Sequence, residues 1–298
     1  MKISRTVRLG AYSALLLCLA VVRYSAQSDS TGIGHPPLAH TLTGDIRIHK
    51  NFHSAVLGNS RDIIVYLPPG YDADQSARYP VLYMQDGQNA FDAATSFFAS
   101  GERHMDEEAQ DLITRHQIEP LIIVGIYSLP GDRVAEFTPT RDPHTNRGGQ
   151  ADLYGRMLVE EVKPLIDTTY RTMSDRAHTG LGGSSLGGLA TMHLGLRYAN
   201  VFGKLAVTSP AAYWGDEAIV REVRSLKSPT TQRICLSVGT SEPPVFLSST
   251  RDLRQALVDK GWKEGANFSY MEAPGAQHAP DQRSHRTTHL LTFLFAAK

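Results

Sequence analysis

The run His178-Thr179-Gly180-Leu181-Gly182-Gly183-Ser184-Ser185-Leu186-Gly187-Gly188 decides the fold of this chain. Residues 178–182 make a short run of strand length that ends in glycine, and Leu189, Met192, Leu196 and Tyr198 beyond it recur at helical spacing. Between them, Gly183-Ser184-Ser185-Leu186-Gly187 has the G-x-S-x-G form, in which a serine is held on a sharp strand-to-helix turn with its hydroxyl exposed. The register is unique, because Ser185 has Gly183 and Gly187 on either side, whereas Leu186 stands two residues after Ser184. Side chains at the flanking positions would clash in so tight a turn. No lysine follows as in a P-loop and no G-x-G-x-x-G is formed, so a phosphate cradle is the poorer account.

Outward from this turn, short apolar runs recur at residues 81–84, 121–126, 205–208, 234–238 and 268–271, bounded by Gly and Pro as in strands buried on both faces. Segments with helical spacing lie between them at 104–116, 152–170, 186–198 and 249–260, and 285–295 closes the chain. This alternation predicts an α/β fold, a mostly parallel sheet with helices on both faces and ligands beyond the carboxyl ends of its strands. Upstream, Ile46-Arg47-Ile48 and Ile63-Ile64-Val65-Tyr66-Leu67 read as antiparallel strands at a sheet edge. Residues 129–150, with Pro130, Pro139, Pro143, Gly148 and Gly149, read as a long surface loop placed to overhang a pocket.

The 298 residues are 41% hydrophobic and 20% charged, values that exclude disorder, a coiled coil and a multi-span membrane protein. Without repeats or low-complexity tracts, the chain reads as a single domain over residues 41–298 behind a connector at 27–40. Residues 1–26 carry Lys2, Arg5, Arg8 and Arg23 but no acid, enclose an apolar stretch at 15–22, and end beside the small residues Ala26 and Ser28. That is the form of a cleaved secretory signal, which predicts a periplasmic or extracellular protein with no membrane attachment after cleavage. Beyond it, 26 bases face 30 acids, a mildly acidic balance with no basic footprint for nucleic acid. Cys18 leaves with the signal, and Cys235, inside Ile234-Cys235-Leu236, reads as a buried structural thiol, so no disulfide is expected.

A nucleophilic serine needs a base, and the base an orienting acid; on a sheet of this kind they follow in the order Ser, Asp or Glu, His. The loop after strand 268–271 contains Pro274-Gly275-Ala276-Gln277-His278, which makes His278 the expected base. Gly239-Thr240-Ser241-Glu242 follows strand 234–238 and offers Glu242 as the acid, with Asp216, Glu217 and Asp252 as rivals. His193, His285 and His289 fall in helices and read as packing or surface residues. Two backbone amides must hold a developing oxyanion: Leu186, after the nucleophile, and Gln88, in the Gln85-Asp86-Gly87-Gln88-Asn89 loop. His104-Met105-Asp106-Glu107 lacks H-E-x-x-H spacing and reads as a solvated helix face, so neither metal nor organic cofactor is expected.

The words Asp86-Gly87-Gln88-Asn89-Ala90-Phe91-Asp92, Arg133-Val134-Ala135-Glu136-Phe137-Thr138-Pro139, residues 183–188, and residues 198–203 leading to Ser209-Pro210 together resemble the putative-esterase family of α/β-hydrolases, which includes feruloyl esterases and enterochelin esterase-like proteins. The resemblance spans residues 62–278 and implies carboxylic-ester hydrolysis through an acyl-enzyme, with a Ser185, His278 and Glu242 triad and a small-molecule or polysaccharide-linked ester as substrate. Gln85 stands where the family often has His, Ala90 where it often has Leu, and no aromatic residue follows His278 closely. Two rivals come from the same scaffold: an acyltransferase, in which an added alcohol outcompetes water, and a non-catalytic binding module, whose Ser185 a fluorophosphonate would not label.

Overall fold

The computed structural model describes residues 38–98, 101–143, 145–228, 231–279 and 285–297. The expected signal at 1–26 and most of the expected connector lie outside them. Eight strands form one sheet in the order β1-β2-β4-β3-β5-β6-β7-β8. They are β1 Asp45–Ser54, β2 Asn59–Leu67, β3 Val81–Gln85, β4 Ile122–Ile126, β5 Thr179–Ser185, β6 Lys204–Pro210, β7 Arg233–Gly239 and β8 Phe268–Ala273. β1 and β2 enter antiparallel at one edge, β2 lies antiparallel to β4, and every later pairing is parallel. β1 is largely exposed, and Arg47 and Lys50 on it suit an edge that must not recruit another strand.

Period-two alternation divides the core. Ile63, Val65 and Leu67 of β2 face one layer with Val81, Leu181, Leu205 and Leu236, while Ile64 and Tyr66 face the other with Leu82, Ala206 and Cys235. Helices Met105–Thr114 and His285–Phe295 cover the second layer through Met105, Leu112, Leu290 and Leu294. Helices Leu186–Arg197, Trp214–Ser225 and Pro244–Asp259 cover the first, joined by a helical stretch whose middle, Met157–Val162, is π-helical. Cys235 is buried, and burial pushes its thiol up to about 12, an inert structural thiol as expected. Among the described residues no helix is long and apolar enough to cross a membrane.

Two expectations need refinement. Residues 129–150 are largely a surface loop with Arg133 on the pocket, as expected, but they contain the helix Arg133–Glu136, and Glu136, Phe137 and Thr138 are buried. The cause is a buried ion pair, Arg61 of β2 gripping Glu136 at 2.6 and 2.9 Å, which nails the segment to the sheet. The second concerns Asp106, read as part of a solvated face but 0% exposed. The Thr43 amide donates to it at 2.7 Å, and burial foremost, with Glu107 beside it, pushes its carboxyl up to about 9.

His193 lies between Glu222, 2.8 Å from Nδ1, and Asp152, 3.0 Å from Nε2, with Arg197 on Asp152 at 3.1 Å. Burial pushes this imidazole down, but the two carboxylates outweigh burial and hold it above its ordinary value. A folded pKa above the unfolded one means the charged cluster stabilises fully below about pH 6.5 and fades as pH rises through the folded value. His193→Gln is therefore expected to lower the melting temperature by about 2–4 °C at pH 5.5, with the gap shrinking toward pH 8. A gap that stays constant across that range in calorimetry would contradict the assignment.

Candidate active site

β5 runs into helix Leu186–Arg197 without a linker, and Ser185 takes φ 59° and ψ −123° to make the corner. A non-glycine residue in that region is strained, which a protein tolerates where the strain aims a side chain. The neighbouring glycines follow from close approach. A Cβ on Gly183 would lie 2.5 Å from the Gly187 carbonyl oxygen, and one on Gly187 would lie 3.3 Å from the Asp86 carboxylate. The turn is pinned on the other side by the Ala211 amide, which donates to the Ser185 carbonyl at 2.9 Å. Ser184 and Ser185 line a pocket together with Asp86, Arg103, His278 and Arg286.

The loops after β7 and β8 carry the expected acid and base. They are sewn together before either side chain is considered: Ser241 N donates to Ala276 O at 3.0 Å, Thr240 N to Ala273 O at 3.0 Å, and Gly275 N to Thr240 Oγ1 at 2.8 Å. A Cβ on Gly239 would sit 2.2 Å from Ala276 O, so glycine is required for this approach. The outcome is that Nδ1 of His278 lies 2.7 Å from Oε2 of Glu242. The Glu242 side chain is fully buried, and its Oε1 accepts from Ser209 Oγ at 2.5 Å, Gly239 N at 2.7 Å and Arg286 Nη1 at 3.3 Å. Burial pushes this carboxyl up, but the bonds from His278, Ser209 and Gly239 outweigh it and hold it below the ordinary carboxylate range. Phe246 packs on the imidazole at 4.1 Å between ring centroids, supplying the aromatic wall that the residues after His278 lack.

The rival acids lie elsewhere. Asp216 and Glu217 occupy a left-handed kink in helix Trp214–Ser225, and Asp252 lies within helix Pro244–Asp259. Gln88 is buried in the 3-10 turn Gly87–Asn89 beyond β3, its side chain bonded to Ser128 at 2.9 and 3.1 Å, which fixes the backbone around its amide. Leu186 opens its helix, where amide groups are not yet committed to the helical ladder.

Sequence reasoning missed the charged frame of the pocket. Arg133 grips Asp86 through Nε and Nη2 at 2.7 and 2.8 Å, and Ser128 Oγ adds a third bond to Asp86 at 2.7 Å. Burial pushes Asp86 up, yet Arg133 outweighs burial and keeps it ionised. Arg286, from the last helix, donates to Ser209 Oγ at 2.9 Å. Asp86, Arg133 and Ser209 had a signal, since each stands in one of the words behind the resemblance, whereas Ser128 and Arg286 had none. Elsewhere, Glu102, His104 and Glu107 bring metal-type ligand atoms within 4.8 Å of one another. Those atoms are already engaged, Glu102 by Thr41 at 3.0 Å and by the His104 amide.

A mixed sheet in this order, with a strained serine corner beyond its central strand and a carboxylate-bound histidine facing the same pocket, defines an α/β-hydrolase. The chain belongs to the family described as "Putative esterase", whose model matches residues 54–278, and the protein is an esterase. It is 29% identical over 249 residues to the uncharacterized protein YbbA of Bacillus subtilis, covering 80% of this chain and 91% of that protein. It is 27% identical over 224 residues to the iron(III) salmochelin esterase of Escherichia coli O6:H1, covering 69% of this chain and 48% of that protein. Its fold matches the IroE-like serine hydrolase of Shewanella oneidensis with a TM-score of 0.67 at 20% identity, covering 84% of this chain and 80% of that one.

The corner itself yields a stability prediction. Gly183→Ala forces a methyl against backbone that cannot swing aside, so about 2–3 kcal/mol of folding free energy should be lost in urea denaturation. A loss below about 0.5 kcal/mol would mean that the corner relaxes freely.

Proposed function

We propose that the protein is a serine carboxylic-ester hydrolase working through an acyl-enzyme, with Ser185 as nucleophile, His278 as general base and Glu242 as the orienting acid. The observation that carries this reading is the contact between His278 Nδ1 and Glu242 at the pocket where Ser185 turns outward. An ionised carboxylate only accepts hydrogen bonds, so Nδ1 must hold the proton and Nε2 is left basic. Ser185 Oγ then attacks the ester carbonyl while His278 Nε2 takes its proton, and the Leu186 and Gln88 amides bind the oxyanion. His278 returns the proton to the departing alcohol, water is activated in the same way, and the acid is released. Glu242 stabilises the imidazolium formed in each step. No step calls on a metal or organic cofactor.

A small-molecule ester or the ester end of a polysaccharide fits this reading, since the pocket beside Ser185 opens to solvent. The esterase activity named for the Escherichia coli relative supports the first class. The similar endo-1,4-beta-xylanase/feruloyl esterase of Xylanibacter ruminicola supports the second. We also propose that residues 1–26 are a cleaved export signal and 41–298 one domain; the amino-terminal mass of protein recovered from culture medium or periplasm should place the cut after Ala26 or Ser28. Protein retaining Met1 would overturn the export proposal.

A panel of nitrophenyl acyl esters run against Ser185→Ala tests the mechanism. Wild type should turn over at least the short esters and take one fluorophosphonate adduct on Ser185. Ser185→Ala should do neither. Glu242→Gln should lower kcat/KM by about 10²- to 10⁴-fold, and unchanged activity in that variant would remove Glu242 from the mechanism. Equal, background rates for wild type and Ser185→Ala on every ester would end the hydrolase reading.

A further inference from the structure

Three arginines line the pocket beside Ser185: Arg103, Arg133 and Arg286. Two are committed. The fork of Arg133 is closed on Asp86, and Arg286 is turned onto Ser209 and Glu242. Both acids are committed as well, Asp86 to Arg133 and Ser128, and Glu242 to His278, Ser209, Gly239 and Arg286. The third guanidinium is left over: among the described residues no hydrogen bond or ion pair closes on the Arg103 side chain.

Arg103 is nonetheless held in place. Its amide donates to Asn89 O at 2.9 Å and the Met105 amide to Ala90 O at 3.1 Å, which ties its segment to the loop that carries Gln88. Burial above all, with repulsion from Arg286 and Arg133, pushes its pKa down to about 10 against the pull of Asp86 and Glu242. It therefore remains charged at neutral pH, half-buried in the pocket wall and without a counter-ion of its own. An unpaired guanidinium facing a pocket is open to an anion, and its planar five-donor fork matches a carboxylate or phosphate in two parallel bonds.

We infer that Arg103 anchors an anion subsite beside Ser185, and that the esters this enzyme selects carry a carboxylate-type anion a few bonds from the scissile carbonyl. The inference rests on the hydrolase reading above and adds the substrate class. The anion belongs to the acyl group or to the alcohol, and both place the same charge against the same guanidinium. Arg103 is a specificity-determining residue here and takes no part in proton transfer.

The test compares charged and neutral esters in low-salt buffer, with Ser185→Ala as background. In the acyl arm, p-nitrophenyl hemiglutarate is set against p-nitrophenyl valerate. In the alcohol arm, O-butyrylglycolate is set against ethyl butyrate. Wild type should prefer the anionic ester in one arm by about 10- to 100-fold in kcat/KM, the range of a charge-assisted hydrogen bond. Arg103→Gln should collapse that ratio, and Arg103→Lys should restore part of it. Turnover of both neutral esters with no anionic preference in either arm, and ratios unmoved by Arg103→Gln, would overturn the inference while leaving the hydrolase intact. If no ester in either arm is cleaved, the hydrolase reading falls, and calorimetry of glutarate binding to Ser185→Ala decides the subsite by itself. Binding lost on adding Arg103→Gln supports the subsite, and absence of binding refutes it.

Discussion

The site depends on one contact, the 2.7 Å approach of His278 Nδ1 to Glu242 Oε2. It joins the loops at the ends of β7 and β8, which share no sequence proximity, and it sets which nitrogen of the imidazole is free. Its strength comes from burial of Glu242. A carboxylate stripped of water is penalised unless donors surround it, and here His278, Ser209, Gly239 and Arg286 all converge on two oxygens. With those donors in place, the His278 imidazole is held by a buried and fully engaged partner. Phe246, itself buried, closes the remaining face of the ring.

The fold was legible where the cause is local. Strands buried on both faces show themselves as continuous apolar runs, and the sheet has a strand at each of them, with β5 extended to Ser185 and β6 to Pro210; β8, expected to be buried on both faces, is instead an edge strand whose four middle residues are half-buried. Helix Trp214–Ser225 was not foreseen, because Gly215, Asp216 and Glu217 take left-handed angles at its head and only Ile219, Val220 and Val223 are left to mark a buried face. Ser185 was legible for the same reason as the strands: a corner that admits no Cβ at Gly183 writes itself into adjacent residues. His278 and Glu242 were placed by the rule that loops at carboxyl ends of strands converge. Their mutual contact could be expected but not measured from the chain.

What stayed hidden is charge pairing at a distance. Asp86 meets Arg133 across 47 residues and Ser209 meets Arg286 across 77, and no periodicity links such partners. Arg61 and Glu136, 75 residues apart, hold part of residues 129–150 against the sheet and so bury Glu136, Phe137 and Thr138 within an otherwise largely exposed loop. Asp106 misled for a related reason: a run of polar residues looks solvated until a neighbouring backbone, here at Thr43, covers it. The same hidden frame gathers three arginines at the pocket of a chain whose overall charge is balanced, a concentration that composition cannot show.

A crystal structure of the enzyme inhibited by a fluorophosphonate would test the central claim most directly. The account predicts phosphorus bonded to Ser185 Oγ, the phosphoryl oxygen within about 3 Å of the Leu186 and Gln88 amides, and His278 still bridging from Glu242 to the adduct. An unmodified Ser185, or a His278 turned away from both Glu242 and the adduct, would contradict it.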